Sequence, residues 1–191
     1  MSAVLYNEKE FVGQVAQLLN EGCVGVIPAD TIYGISSRAD SSGAARIYEV
    51  KRRPASKNLI MLASLDWIER SGFEVPEVLY DIWPAPLTAI LRAPDGSTQA
   101  IRVPDDDFIQ SLTAVCGPIW STSCNISGMP SLTRAEDIRE IFGSSLDFIV
   151  EKRREDAGGL PSTLVDFTSG GCRILRQGAY DASHLIRLAS M

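Results

Sequence analysis

The chain has 191 residues, of which 45% are hydrophobic and 22% charged, values that fit one globular domain and exclude a disordered protein. Its net charge of −6 provides no overall field to attract nucleic acid, so any anion-binding site must be local. No apolar run approaches the roughly 20 residues that cross a bilayer, and the amino terminus has no signal-peptide pattern, so we expect a cytoplasmic protein without a membrane segment.

The first predicted element is an amphipathic helix. Asn7 and Glu10 have the spacing of a capping box, and apolar residues recur at helical spacing over 11–19, before Gly22 ends the pattern. A short buried strand is predicted over 24–28, because it ends in a proline that cannot donate to a sheet.

A polar turn is predicted directly after this strand. Asp30, Thr31, Tyr33 and Gly34 lie in it, at the carboxyl end of the strand. Open α/β sheets place their ligands at such strand ends, so the turn is a candidate part of a binding site.

Cations accumulate at the carboxyl end of the next predicted helix, over 43–51. Lys51, Arg52 and Arg53 are consecutive, and Lys57 follows after a proline. One interpretation is structural, because cations complement the negative end of a helix macrodipole. The other is a phosphate site, which four cations within seven positions of an acidic chain favour.

The middle of the chain is predicted to alternate strands with short helices. The apolar run 59–63 indicates a central strand covered on both faces. Short helices are expected from Ser64 and over 77–83, and another strand over 87–91.

Arg102 interrupts the short apolar strand predicted over 100–103. A buried arginine is costly unless it is paired. Its partner is either an internal carboxylate, for which the neighbouring run 105–107 offers three candidates, or the carboxylate of a ligand. From the residues alone we favour the internal partner.

A polar loop over 122–131 follows a helix predicted over 108–116 and a strand over 119–121. Serines and asparagines in such loops usually cap their own backbone, which is the structural interpretation. The position of the loop directly after an apolar strand favours a ligand site instead. Cys124 lies within this loop, and we do not expect it to act as a nucleophile.

The last third of the chain continues the alternation, and Thr133 with Glu136 forms a second candidate capping box. The predicted elements are a helix from 133 through 141, a strand over 148–150, a hairpin of strands over 162–166 and 172–176, and a helix over 181–189.

Several kinds of catalytic site find no support in the sequence. The four cysteines are scattered, with His184 as the one histidine, so neither zinc nor a disulfide framework is indicated. No Ser, His and Asp set, paired carboxylates, Walker motif or dinucleotide fingerprint occurs. The cations and hydroxyls therefore predict a site that positions and neutralises phosphate without a covalent enzyme intermediate.

Four strings, PADTIYGI, KRRP, STSCNISG and PSTLVD, occur in the order and with the spacing typical of one family. The chain resembles the YrdC-like threonylcarbamoyl-AMP synthases from about Phe11 to Gly178. The resemblance implies an α/β fold in which a twisted mixed β-sheet is flanked by helices around a concave ligand cavity. It also implies that residues 1–191 form a single YrdC-like domain, with no additional carboxyl-terminal domain.

The activity implied by the resemblance condenses L-threonine, bicarbonate and ATP into threonylcarbamoyl-AMP and pyrophosphate, for modification of transfer RNA. Mg²⁺ is expected with ATP and not in a protein-ligated site. By resemblance the threonine-binding residues are Thr31, Arg102, Ser121 and Ser162, so Arg102 would pair with a ligand carboxylate. The implied ATP-binding residues are Lys51, Arg53, Lys57, Thr98, Ser123, Asn125, Ser131 and Arg176. Among these, Lys51, Arg53, Ser123 and Asn125 are the expected catalytic group, which positions the substrates and neutralises charge.

Two alternatives remain open at this point. One is a YrdC-like module that binds nucleotide or RNA without turnover, against which the acidic net charge and intact motifs argue. The other is carbamoyl-adenylate chemistry of the hydrogenase-maturation type, against which the lack of zinc-finger cysteines argues. Transient contact with a threonylcarbamoyl transferase is a further expectation from the resemblance.

Overall fold

The computed structural model describes residues 3–52, 58–126, 128–152 and 159–188, which form one mixed ten-stranded sheet with helices on both faces. The strands are β1 (Ala3–Tyr6), β2 (Gly25–Pro28), β3 (Tyr33–Arg38), β4 (Ile60–Leu62), β5 (Leu87–Arg92), β6 (Thr98–Arg102), β7 (Ile119–Ser123), β8 (Phe148–Glu151), β9 (Thr163–Asp166) and β10 (Arg173–Arg176). The helices are α1 (Val12–Asn20), α2 (Ser41–Lys51), α3 (Leu65–Arg70), α4 (Val78–Ile82), α5 (Asp107–Cys116), α6 (Ala135–Phe142) and α7 (Ser183–Leu188). The α/β fold class predicted from the sequence is confirmed.

The strand order is β1-β8-β2-β3-β7-β4-β6-β5-β9-β10, so neighbours in the sheet are often distant in the sequence. β4 lies near the middle of the sheet, as the apolar run 59–63 predicted, and it pairs parallel with β6 and antiparallel with β7. The β2–β3 hairpin and the β9–β10 hairpin lie on opposite sides of it. Residues from both hairpins can therefore meet over the central strands.

Side-chain alternation along the strands separates two packed faces. Ile60 and Leu62 face α1 and α5, whose apolar stripes include Leu19 and Leu112. Met61, between them in sequence, faces the opposite layer, where α3, α4 and α7 pack. α2 and α6 complete that second layer over the β2, β3 and β8 strands. The helix stripes predicted from the sequence are thus core-facing.

Two strands were not predicted. Tyr33 and Gly34 were expected in a turn, but they begin β3, which pairs antiparallel with both β2 and β7. β3 carries two serines and a glycine, so it lacks the apolar pattern by which strands are recognised. β1 is a short edge strand that pairs parallel with β8.

Both predicted capping boxes are wrong. The chain enters α1 through a 3₁₀ turn, Lys9–Phe11, whose flanking residue Glu8 provides no side-chain cap. Arg134 precedes α6, again without a side-chain cap. In contrast, Asp40 accepts a hydrogen bond from the Gly43 amide at the start of α2, and this cap fixes the helix that ends at Lys51.

Among the described residues, no helix combines the length and apolar character needed to cross a bilayer.

Candidate functional site

A cavity of about 470 Å³ lies over the central strands, on the same face as α1 and α5. Its floor is set by strand register, because Ser121, Ile60, Ala100 and Ile90 are successive cross-strand partners on β7, β4, β6 and β5. Ala100 has the smallest side chain of this row and leaves room above the sheet. A cavity of this size accommodates a small-molecule ligand or cofactor.

The structure brings most of the residues implied by the family resemblance to this one cavity. Those that line it are Thr31, Thr98, Arg102, Ser121, Ser123, Ser131, Ser162 and Arg176. Lys51 and Asn125 lie next to it and reach Ser123 through hydrogen bonds. Arg53 and Lys57 lie outside the described residues.

Arg102 is buried, and its carboxylate partner is Asp30 in the loop between β2 and β3. The guanidinium donates through Nη2 to Asp30 Oδ1 and through Nη1 to Thr31 Oγ1, the latter at 2.8 Å. The other Asp30 oxygen accepts from the Asp105 amide at 3.3 Å. The internal partner favoured from the residues alone is therefore present, but it is Asp30 and not one of the candidates in 105–107, because the sheet brings Asp30 to Arg102 from 72 positions away.

Burial and charge act in opposite directions on Arg102. Burial lowers the pKa of its guanidinium, whereas the neighbouring Asp30 carboxylate raises it. Burial also raises the pKa of the nearby Asp106 carboxyl, which caps α5 by accepting from the Ile109 amide. An arginine remains protonated at neutral pH in such a setting, so the cavity contains a fixed positive charge.

Three buried hydroxyls accompany Arg102, from Thr31, Ser121 and Ser162. Each has a hydrogen-bond partner, and the partners of Ser121 and Ser162 lie behind the cavity wall. Arg102 donates to Thr31, Ser36 Oγ lies 3.2 Å from Ser121 Oγ, and Thr88 Oγ1 lies 2.8 Å from Ser162 Oγ. Ser36 and Thr88 are fully buried and are not part of the lining, so the hydroxyls of the wall are supported from within the core.

Lys51 holds the loop that follows β7. Its ammonium lies 2.6 Å from the Ser123 carbonyl oxygen and 2.9 Å from Asn125 Oδ1. Ser123 Oγ donates to the same Asn125 oxygen at 2.7 Å, while Asn125 Nδ2 donates to the Met129 carbonyl at 2.7 Å. The Lys51 ammonium therefore lies against the loop and holds it next to the end of α2.

Arg176, on β10, connects two parts of the wall. Its Nε and Nη2 atoms both donate to the Ser162 carbonyl oxygen, at 3.3 and 2.8 Å. Partial burial lowers the pKa of its guanidinium. Across the cavity, Thr98 lies at the start of β6, and Ser131 lies in the loop before α6. One cation and two hydroxyls, from Arg176, Thr98 and Ser131, thus line the same cavity.

Two glycines permit this close packing. A Cβ at Gly34 would lie 2.2 Å from Ser121 Oγ, and one at Gly178 would lie 2.1 Å from the Pro161 carbonyl oxygen. Neither clash can be relieved without moving the adjacent wall residue. The positions of Ser121 and Ser162 therefore depend on the absence of side chains at these two sites.

The cavity lining contains arginines and hydroxyls but, among the described residues, no aspartate or glutamate. The described residues also contain no group of three His, Cys, Asp or Glu side chains placed to hold a metal ion. Cys124 is buried on the opposite face of the sheet, and burial raises the pKa of its thiol to about 12. A protonated thiol is a poor nucleophile, which agrees with the expectation from the sequence.

Sequence reasoning did not identify the roles that Asp30, Ser36 and Thr88 have in the site. Asp30 was placed in a ligand-binding turn but was not assigned as the partner of Arg102. Thr88 offers a weak signal, because a polar residue interrupts the otherwise apolar strand 87–91. Ser36 lies in the strand that was missed, and its role becomes visible only through the pairing of β3 with β7.

Comparison with known proteins identifies relatives along nearly the whole described chain. A model of the Sua5, YciO and YrdC family, whose description is telomere recombination, matches residues 17–178. The threonylcarbamoyl-AMP synthase of Pyrococcus abyssi is 34% identical over 179 residues, which are 85% of this chain and 52% of that protein. This chain therefore spans about half the length of that relative.

A second relative has nearly the same length as this chain. The threonylcarbamoyl-AMP synthase of Vibrio cholerae is 29% identical over 188 residues, covering 88% of this chain and 98% of that protein. Among solved structures, P. abyssi Sua5 complexed with L-threonine superposes with a TM-score of 0.82 at 30% identity, over 93% of this chain and 57% of that one.

Proposed function

This chain belongs to the Sua5, YciO and YrdC family, and on that premise we propose that it is an L-threonylcarbamoyladenylate synthase. It condenses L-threonine, bicarbonate and ATP into threonylcarbamoyl-AMP and pyrophosphate. The observation that carries the proposal is the single cavity in which Arg102 and three buried hydroxyls lie beside a second group of cations and polar side chains. Two anionic substrates can be held there side by side.

The threonine part of the cavity consists of Arg102 with Thr31, Ser121 and Ser162. Arg102 binds the substrate carboxylate while Asp30 compensates the remaining buried charge. The three hydroxyls bind the other oxygens of the substrate. Support comes from the P. abyssi structure, in which a protein 30% identical to this chain is complexed with L-threonine.

The ATP part consists of the residues around the loop after β7 and the rim near Arg176. Its members are Lys51, Arg53, Lys57, Thr98, Ser123, Asn125, Ser131 and Arg176. Lys51 already contacts Ser123 and Asn125, so these three act as one unit that positions the phosphates. We propose that ATP arrives as its Mg²⁺ complex, because the described part of the lining offers a metal ion hydroxyls but no carboxylate.

The chemistry proceeds in two steps. The threonine amine attacks carbon dioxide derived from bicarbonate, loses a proton and becomes a carbamate. A carbamate oxygen then attacks the α-phosphorus of ATP, the bond to the bridging oxygen breaks, and pyrophosphate leaves with its electron pair. Charge accumulates on the leaving group, so Lys51, Arg53 and Arg176 accelerate the step by electrostatic stabilisation and alignment.

We propose that the protein acts in the cytoplasm. Its product, threonylcarbamoyl-AMP, is passed to a threonylcarbamoyl transferase that modifies transfer RNA. The net charge of −6 opposes wide contact with RNA, so we propose that this chain hands over a small molecule without binding the RNA.

Pyrophosphate release by the purified protein tests this function. L-threonine, bicarbonate and ATP are supplied together, and each is omitted in turn. Release that requires all three supports the synthase. No release from a folded protein that still binds ATP or RNA would overturn it and favour a binding module without turnover.

A further inference from the structure

Two fully buried hydroxyls lie behind the cavity wall and are not part of the cavity lining. Thr88 is on β5 and Ser36 on β3, both are 0% exposed, and neither lines the cavity. Each contacts one wall serine, Ser162 and Ser121 respectively. A buried hydroxyl is costly unless its hydrogen bonds are satisfied, so their presence calls for a reason.

The direction of the hydrogen bond between Thr88 and Ser162 can be assigned, because the buried hydroxyl proton of Thr88 needs an acceptor. The Thr88 hydroxyl has one proton, and Ser162 Oγ, at 2.8 Å, is its one acceptor among the described residues. If Ser162 donated instead, the Thr88 proton would be buried without an acceptor, at a cost comparable to a lost hydrogen bond. Thr88 is therefore the donor, and the proton of Ser162 is left to point elsewhere.

Ser121 and Thr31 show the same arrangement. Ser36 Oγ is placed to donate to Ser121 Oγ at 3.2 Å, and it shares its proton with the Gly34 carbonyl at 3.3 Å. Thr31 Oγ1 accepts from the Arg102 guanidinium, which has only donors to offer. In each case an oxygen of the wall already accepts a hydrogen bond from another residue of the protein, so its own proton is available for a ligand in the cavity.

We propose that Thr88 and Ser36 are positioning residues for the threonine site, which fix Ser162 and Ser121 as hydrogen-bond donors toward the cavity. The inference rests on the proposed function and deepens it. Together with Thr31 and Arg102, these hydroxyls then direct their protons and a positive charge toward the cavity. Such a wall selects substrate oxygens that carry negative charge, as in a carboxylate or a carbamate, and disfavours an ammonium group.

Thr88→Val is the direct test, because valine keeps the shape of threonine but has no hydroxyl. Ser162 loses the bond that orients it, so we expect KM for L-threonine to rise about 10-fold, with kcat and KM for ATP close to wild type. Thr88→Ser restores a hydroxyl and should return KM for L-threonine to within about 2-fold of wild type. Rescue by serine separates the hydrogen bond from a packing effect.

Matched controls exist elsewhere in the same fold. Thr113 is a buried threonine of α5 whose hydroxyl bonds only to backbone carbonyls, so Thr113→Val should lower stability without changing KM for L-threonine. Ser36→Ala should raise that KM, whereas Ser37→Ala, at the next and equally buried position of β3, should not. Ser36→Ala carries the test alone if Thr88→Val does not fold.

The outcomes separate this inference from the proposed function. Unchanged KM for L-threonine in Thr88→Val or in folded Ser36→Ala would overturn the positioning role, as would equal defects in Thr88→Ser and Thr88→Val. If the wild type releases no pyrophosphate, calorimetric titration with L-threonine decides. Weaker binding by Thr88→Val than by wild type supports the positioning role even though the synthase is wrong, and no binding by wild type overturns both.

Discussion

Asp30→Ala should be among the most destabilising single substitutions in this protein, because it leaves a buried arginine without its counter-charge. The Arg102 and Asp30 side chains are 6% and 11% exposed, so solvent cannot replace the lost carboxylate. The change also removes the acceptor of the Asp105 amide. Breaking a buried ion pair by removing one partner costs about 3 to 5 kcal/mol, and we expect a loss of that size in the free energy of unfolding.

Urea denaturation at pH 7 measures this loss, and two further variants define its cause. Glu136→Gln removes one partner of an exposed ion pair with Arg134, and its cost should stay below about 1 kcal/mol. The double variant Asp30→Ala with Arg102→Met removes both buried charges and should recover much of the stability lost in Asp30→Ala. That double variant should nevertheless lose L-threonine binding, because the proposed partner of the substrate carboxylate is gone.

The reasoning would be refuted if Asp30→Ala lost no more than the surface control. It would also be refuted if the double variant were less stable than Asp30→Ala, since the remaining guanidinium would then not be the source of the loss. L-threonine offers an independent check. It should still stabilise folded Asp30→Ala, where its carboxylate can reach Arg102, and should not stabilise the double variant.

Three further substitutions test other parts of the site. Lys51→Ala should lower pyrophosphate release at least about 100-fold, while the loss of two hydrogen bonds costs about 1 to 3 kcal/mol of unfolding free energy. Asp106→Asn keeps the cap on Ile109 but removes a carboxyl whose pKa is raised by burial. Wild-type stability from this group is full below the unfolded pKa and falls as pH rises toward the folded pKa, so urea melts should show the variant gaining on wild type from pH 3 to pH 7. Gly34→Ala displaces Ser121 and should raise KM for L-threonine in the release assay.

The substitutions of Lys51 and Gly34 each have a counterpart outside the cavity. Arg70 is also a cation in the last turn of a helix, so Arg70→Ala should leave pyrophosphate release unchanged. Gly13 lies within α1 with open space around its Cα, so Gly13→Ala should stabilise the protein by up to about 1 kcal/mol. Equal stability of wild type and Asp106→Asn at every pH would show that burial of this carboxyl carries no cost.

The sequence predicted the helices and strands better than it predicted which strands and side chains pair with one another. The apolar run 59–63 and the stripe of α1 were recognised because burial on two faces or on one stripe leaves a periodic pattern. β3 was not recognised because its serines are polar but buried, and Ser36 forms its hydrogen bonds inside the protein. In the sequence, a buried serine cannot be distinguished from a serine on the surface. Arg102 illustrates the limit most clearly, since its need for a carboxylate was predictable but the choice of Asp30 depended on the order of the strands.

The proposed site also explains why the family motifs are far apart in the chain. The β2–β3 loop supplies Thr31, β6 supplies Arg102, and the segment before β9 supplies Ser162. These three meet because the ten-strand order places their elements around one stretch of sheet, and each is then held by a partner from another element.

Arg176 connects the proposed ATP part of the site to the threonine part. Its guanidinium donates to the carbonyl of Ser162, the residue whose hydroxyl faces threonine in the proposal. A shift of the β9–β10 hairpin would therefore move a contact to threonine and a contact to ATP together. In the proposed reaction, the carbamate oxygen must be aligned with the α-phosphorus to within a fraction of an ångström for attack, and a hairpin shared by both contacts maintains that alignment.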